Sequence, residues 1–142
     1  MENITEVKKL LIDNQIDELS RVATWLEELG EEWEFPMSLV LSLNLVLEEA
    51  LTNTILYGYE DKLRHSIEIL FSKSGDLLKV SIVDDGLAYD PTTKPDPDIT
   101  LSVEDRPIGG LGVFLIKKIM DTVEYQRIEN KNHLTLTKNI KP

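Results

Sequence analysis

Apolar residues recur along the chain with two different periods, which predict strands in some segments and helices in others. Residues 7–12 form a short apolar segment that predicts a first strand, although its alternation is imperfect. Residues 16–29 repeat apolar positions every three or four residues, which predicts an amphipathic helix that Gly30 would end. The apolar face of this helix consists of Leu19, Val22, Ala23, Leu26 and Leu29.

A second helix is predicted from Pro36, which suits a first helical turn, to about Tyr57, with Gly58 as its end. This helix is apolar around much of its circumference, so we expect it to be buried and its polar residues to have a special reason. Its apolar residues are Leu39, Val40, Leu43, Val46, Leu47, Ala50, Leu51 and Ile55.

The second half of the chain predicts four more strands and one helix. Strands over residues 65–71 and 77–83 are joined by a turn, and a helix resumes after Gly110. Two closing strands, residues 123–128 and 133–140, flank a predicted turn at residues 130–132. We therefore expect an α/β fold, a two-layer sandwich with helices on one face of a mixed, mostly antiparallel sheet, as one domain over residues 1–142.

Residues 90–107 interrupt this order, because the apolar pattern is lost and prolines stand at positions 91, 95, 97 and 107. An irregular segment of this length inside a small domain usually serves a function. We interpret it as a loop or lid over a binding site.

Composition and charge narrow the class of protein. The chain has 142 residues, of which 42% are hydrophobic and 29% are charged, as in ordinary globular domains. It has no cysteine, which excludes disulfides, thiolate metal sites and cysteine nucleophiles. The first residues lack the features of a secretory signal, and no uninterrupted apolar run reaches the ~18–20 residues of a membrane span. We expect a cytoplasmic protein without a membrane partner.

The net charge of −11 should repel nucleic-acid backbones, so direct binding of DNA or RNA is disfavoured. An anionic nucleotide would need backbone amides, a helix dipole and a metal ion to overcome the repulsion by this negative charge. In the simplest interpretation, the charge only keeps the protein soluble.

Glu49 and Asn53 are the first candidate for chemistry, since residues four apart on a helix share one side. A carboxamide oxygen is a suitable ligand for Mg²⁺, and a carboxylate one turn away could activate a nucleophile. Glu48 points about 100° away from this pair. The alternative is an ordinary amphipathic helix with a solvated polar stripe.

Asp84 and Gly86 form the second candidate, at the end of a predicted strand. An aspartate there could accept a hydrogen bond from an amino group such as that of adenine, while Gly86 allows a close backbone approach. The alternative is a common turn, because Asp-Gly often follows a strand.

Residues 109–112, Gly-Gly-Leu-Gly, open the last predicted helix and are the third candidate. A glycine inside a helix costs about 1 kcal/mol relative to alanine, so Gly112 suggests that something approaches the backbone closely. Amides at a helix amino terminus can bind phosphate. The segment has neither the sequence of a P-loop nor the spacing of a Rossmann fingerprint. The alternative is tight packing of the helix on the sheet.

Together the three segments resemble the ATPase domain of sensor histidine kinases, gyrase-type ATPases and Hsp90-type chaperones. The resemblance is closest to the anti-sigma-factor serine/threonine kinases. Residues 49–54, Glu-Ala-Leu-Thr-Asn-Thr, are similar to that branch's Glu-Ala-x-x-Asn-Ala run, and residues 109–116 are similar to its phosphate-binding box. The likeness covers nearly the whole chain. It implies a stand-alone domain with a Bergerat-type ATPase fold, without the dimerisation and phosphoacceptor helix of a histidine kinase.

The resemblance also implies a role for each candidate residue. Asn53 would bind Mg²⁺, Glu49 would be the general base, and Asp84, with Gly86 in the same segment, would read adenine. The residues implied to bind phosphate are Gly109, Gly110, Leu111 and Gly112, with Arg106 at a basic position that contacts phosphate or a partner in some relatives. The chain departs from the family pattern at Tyr57, where histidine is common, and at Leu87-Ala88, where Pro-Gly is common.

The implied function is an ATP- and Mg²⁺-dependent serine/threonine kinase that phosphorylates an anti-sigma-factor antagonist. A sigma factor is the implied second partner, and relatives are homodimers. Two alternatives stay open: a non-catalytic ATP-sensing module that sequesters a partner, and a nucleotide-free scaffold of similar fold. Glu49 favours catalysis, because a module that only binds nucleotide needs no base there.

Overall fold

The computed structural model describes residues 5–93 and 110–141, which form helices packed on one face of a five-stranded sheet. The strands are β1 (Thr5–Asp13), β2 (Ser66–Ser74), β3 (Leu77–Asp84), β4 (Thr122–Ile128) and β5 (Lys131–Asn139). The helices are α1 (Leu19–Glu32), α2 (Met37–Tyr57) and α3 (Gly110–Ile119), with short 3₁₀ turns at Ile16–Glu18 and Pro91–Thr93. The order of the strands is β1-β2-β3-β5-β4, and every neighbouring pair is antiparallel. The predicted two-layer α/β fold is confirmed, although the sheet of the described residues is wholly antiparallel rather than mixed.

Alternation along the strands decides which side chains meet the helices. On β2, Ile67, Ile69 and Phe71 are fully buried, whereas the residues between them are only partly covered. Phe71 packs edge-on against Trp25 of α1, with 5.2 Å between the ring centroids. The core therefore lies between one face of the sheet and the helices.

α2 is the central helix of this core. Its buried residues are Leu39, Val40, Leu43, Val46, Leu47, Ala50 and Leu51. By length and composition alone, α2 is also long and apolar enough to cross a membrane. Core helices share these properties, and seven buried side chains make α2 a core helix here. As predicted, it ends at Gly58, whose N–H donates to the carbonyl of Thr54 at 2.8 Å.

The predicted end of the first helix at Gly30 is wrong, because α1 continues to Glu32. Gly30 is buried where α1 faces α2, and a Cβ atom there would lie 2.7 Å from Cγ2 of Val40. The glycine lets two helices approach each other and does not end one of them.

The predicted turn at residues 130–132 is also wrong. The turn between β4 and β5 consists of Glu129 and Asn130, which have φ angles of 49° and 64°. Two successive positive φ angles are typical of a two-residue hairpin turn of type I′. Asn132 is therefore the second residue of β5 and lies directly opposite Asp84 of β3.

Candidate active site

An open cavity of about 350 Å³ lies between α2, the end of β3 and the β4–β5 hairpin. Its polar lining includes Asn53, Asp84, Tyr125 and Asn132, and its apolar lining includes Ala50, Leu87, Val113, Ile116 and Leu134. The volume falls within the range of small-molecule sites, as does the combination of apolar walls with few polar groups. The cavity thus brings Asn53 and Asp84 together, although they are far apart in the sequence.

Asp84 is the last residue of β3, and its side chain shares the buried face of the sheet with Ile82. Its Oδ1 atom accepts hydrogen bonds from the Gly86 N–H and from Nδ2 of Asn132, both at 2.9 Å. Burial raises the pKa of Asp84, and these two hydrogen bonds act in the opposite direction. Within the described residues Oδ2 accepts no hydrogen bond, so this oxygen is available to a ligand.

Gly86 allows a close approach between two backbone segments. A Cβ atom at Gly86 would lie 2.5 Å from the carbonyl oxygen of Gly58, and the Leu87 N–H donates to the same oxygen at 2.7 Å. The segment after β3 is thereby fixed to the end of α2. The close backbone approach predicted at Gly86 is thus made by Gly58, and a contact of Gly86 with a nucleotide stays a prediction.

Glu49 and Asn53 are both half-buried and lie one turn apart on α2. Among the described residues, neither side chain has a hydrogen-bond or ion-pair partner. Glu48, in contrast, is exposed and borders a small groove with Asn44 and α1. Of the two adjacent glutamates, only Glu49 is on the same side of α2 as Asn53.

The carboxylate of Glu49 lies against the first turn of α3. A Cβ atom at Gly112 would be 2.6 Å from Oε2 of Glu49, so the glycine makes room for this side chain. α3 begins at Gly110, which places Gly110, Leu111 and Gly112 in the turn whose N–H groups have no partner within the helix. Gly109, Arg106 and residues 94–107 of the predicted lid lie outside the described residues.

The β4–β5 hairpin contributes three residues to the site that the sequence analysis does not predict: Asn132, Tyr125 and Arg127. Asn132 donates to Asp84 and, at 2.8 Å, to the carbonyl of Leu87. Tyr125 and Arg127 donate to Oδ1 of Asn132, and Arg127 also donates to the carbonyl of Gly86 at 2.9 Å. The correct register of β5 would have revealed this network. When Asn132 lies inside β5 rather than in the turn, it pairs with Asp84 of β3.

His65 forms a second polar cluster beside the cavity. Its Nε2 atom lies 2.8 Å from Asp61 and its Nδ1 atom 3.1 Å from Asp85, and its ring stacks on Tyr59 at 4.5 Å. The hydrogen bond to Asp61, followed by that to Asp85, raises the pKa of His65. Within the described residues the buried Tyr59 hydroxyl has no partner, and burial together with the charge of Asp84 raises its pKa.

Comparison with known proteins agrees with this geometry. The family described as "Histidine kinase-like ATPase domain" matches residues 12–138. The chain is 32% identical to the serine/threonine-protein kinase BtrW of Bordetella bronchiseptica over 83% of each chain. It is 31% identical to the serine-protein kinase RsbW of Bacillus cereus, over 69% of this chain and 62% of that relative.

Solved structures show the same fold at low sequence identity. The RsbU and RsbW domains of a Mycobacterium tuberculosis protein superimpose with a TM-score of 0.66 and 14% identity, over 95% of this chain and 32% of that one. A blue-light activated histidine kinase of Erythrobacter litoralis gives a TM-score of 0.59 and 15% identity, over 87% and 41%. The resemblance found in the sequence is confirmed. The chain belongs to the histidine kinase-like ATPase domain family and, within it, to the branch of serine/threonine kinases that contains BtrW and RsbW.

Proposed function

We propose that the protein is an ATP- and Mg²⁺-dependent serine/threonine kinase whose substrate is a small anti-sigma-factor antagonist protein. The observation that carries this proposal is the position of Glu49. Its carboxylate lies against the first turn of α3 and one helical turn from Asn53, which lines the cavity that contains Asp84. The candidate general base thus lies one turn from the candidate metal ligand, and the candidate metal ligand lines the same cavity as the acid that would recognise adenine.

Asp84 would recognise the adenine. Its Oδ2 atom, which has no partner among the described residues, can accept a hydrogen bond from the exocyclic amino group. Apolar residues such as Ala50, Ile116 and Leu134 line the same cavity and can contact the faces of the ring. A base with a carbonyl oxygen in place of the amino group would place two acceptors against each other and bind more weakly.

Asn53 would hold Mg²⁺ through its carboxamide oxygen, which fits because its side chain lacks any partner among the described residues. Bound Mg²⁺ would neutralise phosphate charge, which matters in a chain with a net charge of −11. The backbone amides at the start of α3, from Gly110 to Gly112, can donate to phosphate oxygens. Gly109 and Arg106 belong to the same proposed phosphate site.

Glu49 would act as general base towards the serine or threonine hydroxyl. As the hydroxyl oxygen bonds to the γ-phosphorus, the bond from this phosphorus to the β–γ bridging oxygen breaks and ADP leaves. The hydroxyl proton passes to the carboxylate of Glu49, which no cation among the described residues neutralises.

The proposal extends to the cellular setting. We place the kinase in the cytoplasm as a homodimer with a sigma factor as second partner, and without direct binding to nucleic acid or membrane. The sheet face opposite the helices supports the dimer, because it exposes four apolar side chains that a second copy could cover. These are Val7, Leu11, Leu77 and Ile128.

The test is transfer of label from γ-labelled ATP to an anti-sigma-antagonist-type protein encoded beside the kinase gene. We expect label on one serine or threonine of that protein, dependence on Mg²⁺, and no label when this residue is replaced by alanine. Tight ATP binding without any transfer would support the ATP-sensing module instead. No change in thermal stability on addition of ATP would support the nucleotide-free scaffold.

A further inference from the structure

Asn132 lines the proposed nucleotide cavity, yet the protein itself uses its whole hydrogen-bonding capacity. A carboxamide has two N–H donors and two oxygen lone pairs. Nδ2 donates to Oδ1 of Asp84 at 2.9 Å and to the carbonyl of Leu87 at 2.8 Å. Oδ1 accepts from the hydroxyl of Tyr125 and, at 3.0 Å, from the guanidinium of Arg127. No hydrogen-bonding position remains for a ligand, so Asn132 must act through another residue.

The partners of Asn132 determine which way its amide points. The guanidinium of Arg127 can only donate, so it requires the amide oxygen on its side. The carboxylate of Asp84 and the carbonyl of Leu87 accept, so they require the amide nitrogen. A flipped amide would place acceptors against acceptors on one side and donors against each other on the other. One orientation is therefore strongly preferred.

This network holds the Asp84 carboxylate from one side. Because Oδ1 accepts from both Gly86 and Asn132, rotation of the carboxylate would break two hydrogen bonds at once. Arg127 holds the carbonyl of Gly86 and Asn132 holds the carbonyl of Leu87, so the segment that follows Asp84 is fixed to the hairpin as well. The remaining oxygen, Oδ2, keeps one position relative to the cavity.

We propose that Asn132, oriented by Tyr125 and Arg127, is a positioning residue that fixes Asp84 and thereby sets the selectivity of the site for a purine with an exocyclic amine. This inference rests on the proposed function, because it assumes that an adenine nucleotide occupies the cavity. The selectivity for adenine would then depend on the hydrogen-bond network around Asn132 as well as on Asp84, which would contact the adenine.

The test compares calorimetric affinities for ADP and inosine diphosphate, which carries a carbonyl oxygen in place of the amino group. We expect the wild-type protein to bind ADP roughly 10- to 100-fold more tightly than inosine diphosphate. This is the difference in affinity that one hydrogen bond to a charged group contributes. In Asn132→Ala the carboxylate can rotate, so this ratio should fall at least about fivefold. Gln126→Ala, an exposed change on the other face of β4, is the matched control and should keep the wild-type ratio.

Asn132→Asp supplies a readout that a merely structural role would not change. It places a second carboxylate beside Asp84, and such a pair shares one proton at low pH and repels at high pH. The other charged or titratable groups that face this pair are Asp85, Tyr59, Tyr125 and Arg127. We expect ADP binding by this variant to weaken, relative to the wild-type protein at the same pH, as pH rises and the pair of carboxylates loses its shared proton.

Each outcome decides a different claim. A folded Asn132→Ala variant that keeps the wild-type preference for ADP, with Asn132→Asp insensitive to pH, would overturn this inference and leave the proposed function intact. A wild-type protein that binds neither diphosphate would overturn both. Circular dichroism on every variant shows whether it is folded. If Asn132→Ala does not fold, the decision rests on Asn132→Asp, whose side chain keeps the wild-type shape but carries an acceptor oxygen in place of the amide nitrogen that donates to Asp84 and Leu87.

Discussion

Glu49 and Asn53 are half-buried polar side chains on a helix that is otherwise mostly apolar, and among the described residues neither has a partner. Polar groups inside proteins usually have hydrogen-bond partners, and those without one need a reason. A ligand that supplies a metal ion and a hydroxyl group would give both side chains their partners. Binding of such a ligand is therefore the simplest explanation for two polar side chains without partners at these positions.

Asn53→Ala should abolish the Mg²⁺-dependent part of nucleotide affinity, because no other carboxamide takes that position on α2. We expect ADP affinity in Mg²⁺ to fall by roughly tenfold or more and the difference between Mg²⁺ and EDTA to disappear. Asn44→Ala, on the same helix beside Glu48, is the control and should behave like the wild-type protein. Calorimetric affinities that match the wild type with and without Mg²⁺ would rule out Asn53 as the ligand.

His65 should make the stability of the protein depend on pH. Its pKa in the folded state lies above the ordinary value of 6.5, so its contribution is fully present below pH 6.5 and is lost as pH rises through the raised pKa. The pKa of Asp61 lies below 3.8, so Asp61 stays charged throughout that range.

The measurement is thermal unfolding from pH 5.5 upwards, in wild type and in His65→Gln. We expect the variant to be less stable than the wild type at the acid end and the two curves to converge as pH rises. His133→Gln, on the other face of the sheet, is the matched control. Parallel curves for wild type and His65→Gln would show that the charge of His65 adds no pH-dependent stability through Asp61 and Asp85.

At the scale of elements, the important contact is between α2 and α3, where Gly112 faces the Glu49 carboxylate. A methyl group at Gly112 would meet the far end of a flexible side chain, which can move at little cost. Alanine also favours helix over glycine by about 1 kcal/mol. The change should therefore affect the position of Glu49 more than the stability of the fold.

Gly112→Ala should keep or slightly raise the unfolding temperature and lower the rate of phosphotransfer by roughly tenfold or more, since a small misplacement of a base is costly. Gly30→Ala is the opposite case. Its Cβ would lie 2.7 Å from Val40 in the core, so we expect a loss of about 1–3 kcal/mol in unfolding free energy. Both variants are compared by thermal unfolding and by label transfer. Equal activity of Gly112→Ala and wild type would show that this contact does not position Glu49.

The elements themselves could largely be predicted from periodicity, and their order along the chain is confirmed. The wrong predictions concern residue types that occur in two different structural contexts. The local pattern predicts a helix end at Gly30, but this residue allows close packing of α1 on α2. The local pattern predicts a turn at Asn132, but this residue forms a cross-strand pair with Asp84. Both uses depend on a partner distant in the sequence, which a local pattern does not contain.

At the scale of the whole molecule, the fold brings four segments to one cavity, whose lining comes from residues 50–58, 84–91, 113–116 and 125–134. Sequence motifs identified the first three, because each carries residues typical of nucleotide chemistry. The fourth carries ordinary strand residues, and its polar network follows only from the register of β5 against β3 and β4. Family membership is confirmed, and the roles of the individual site residues stay predictions.

The central claim is that this fold transfers phosphate and that Glu49 is the base. The most direct measurement is the rate of label transfer from γ-labelled ATP to the antagonist protein by Glu49→Gln, with ADP affinity measured on the same preparation. Glu48→Gln is the matched control, since Glu48 is adjacent in sequence and exposed on another side of α2. We predict that Glu49→Gln binds ADP like the wild type but transfers phosphate roughly 10²- to 10⁴-fold more slowly, while Glu48→Gln keeps the wild-type rate. Transfer by Glu49→Gln at the wild-type rate would contradict the claim.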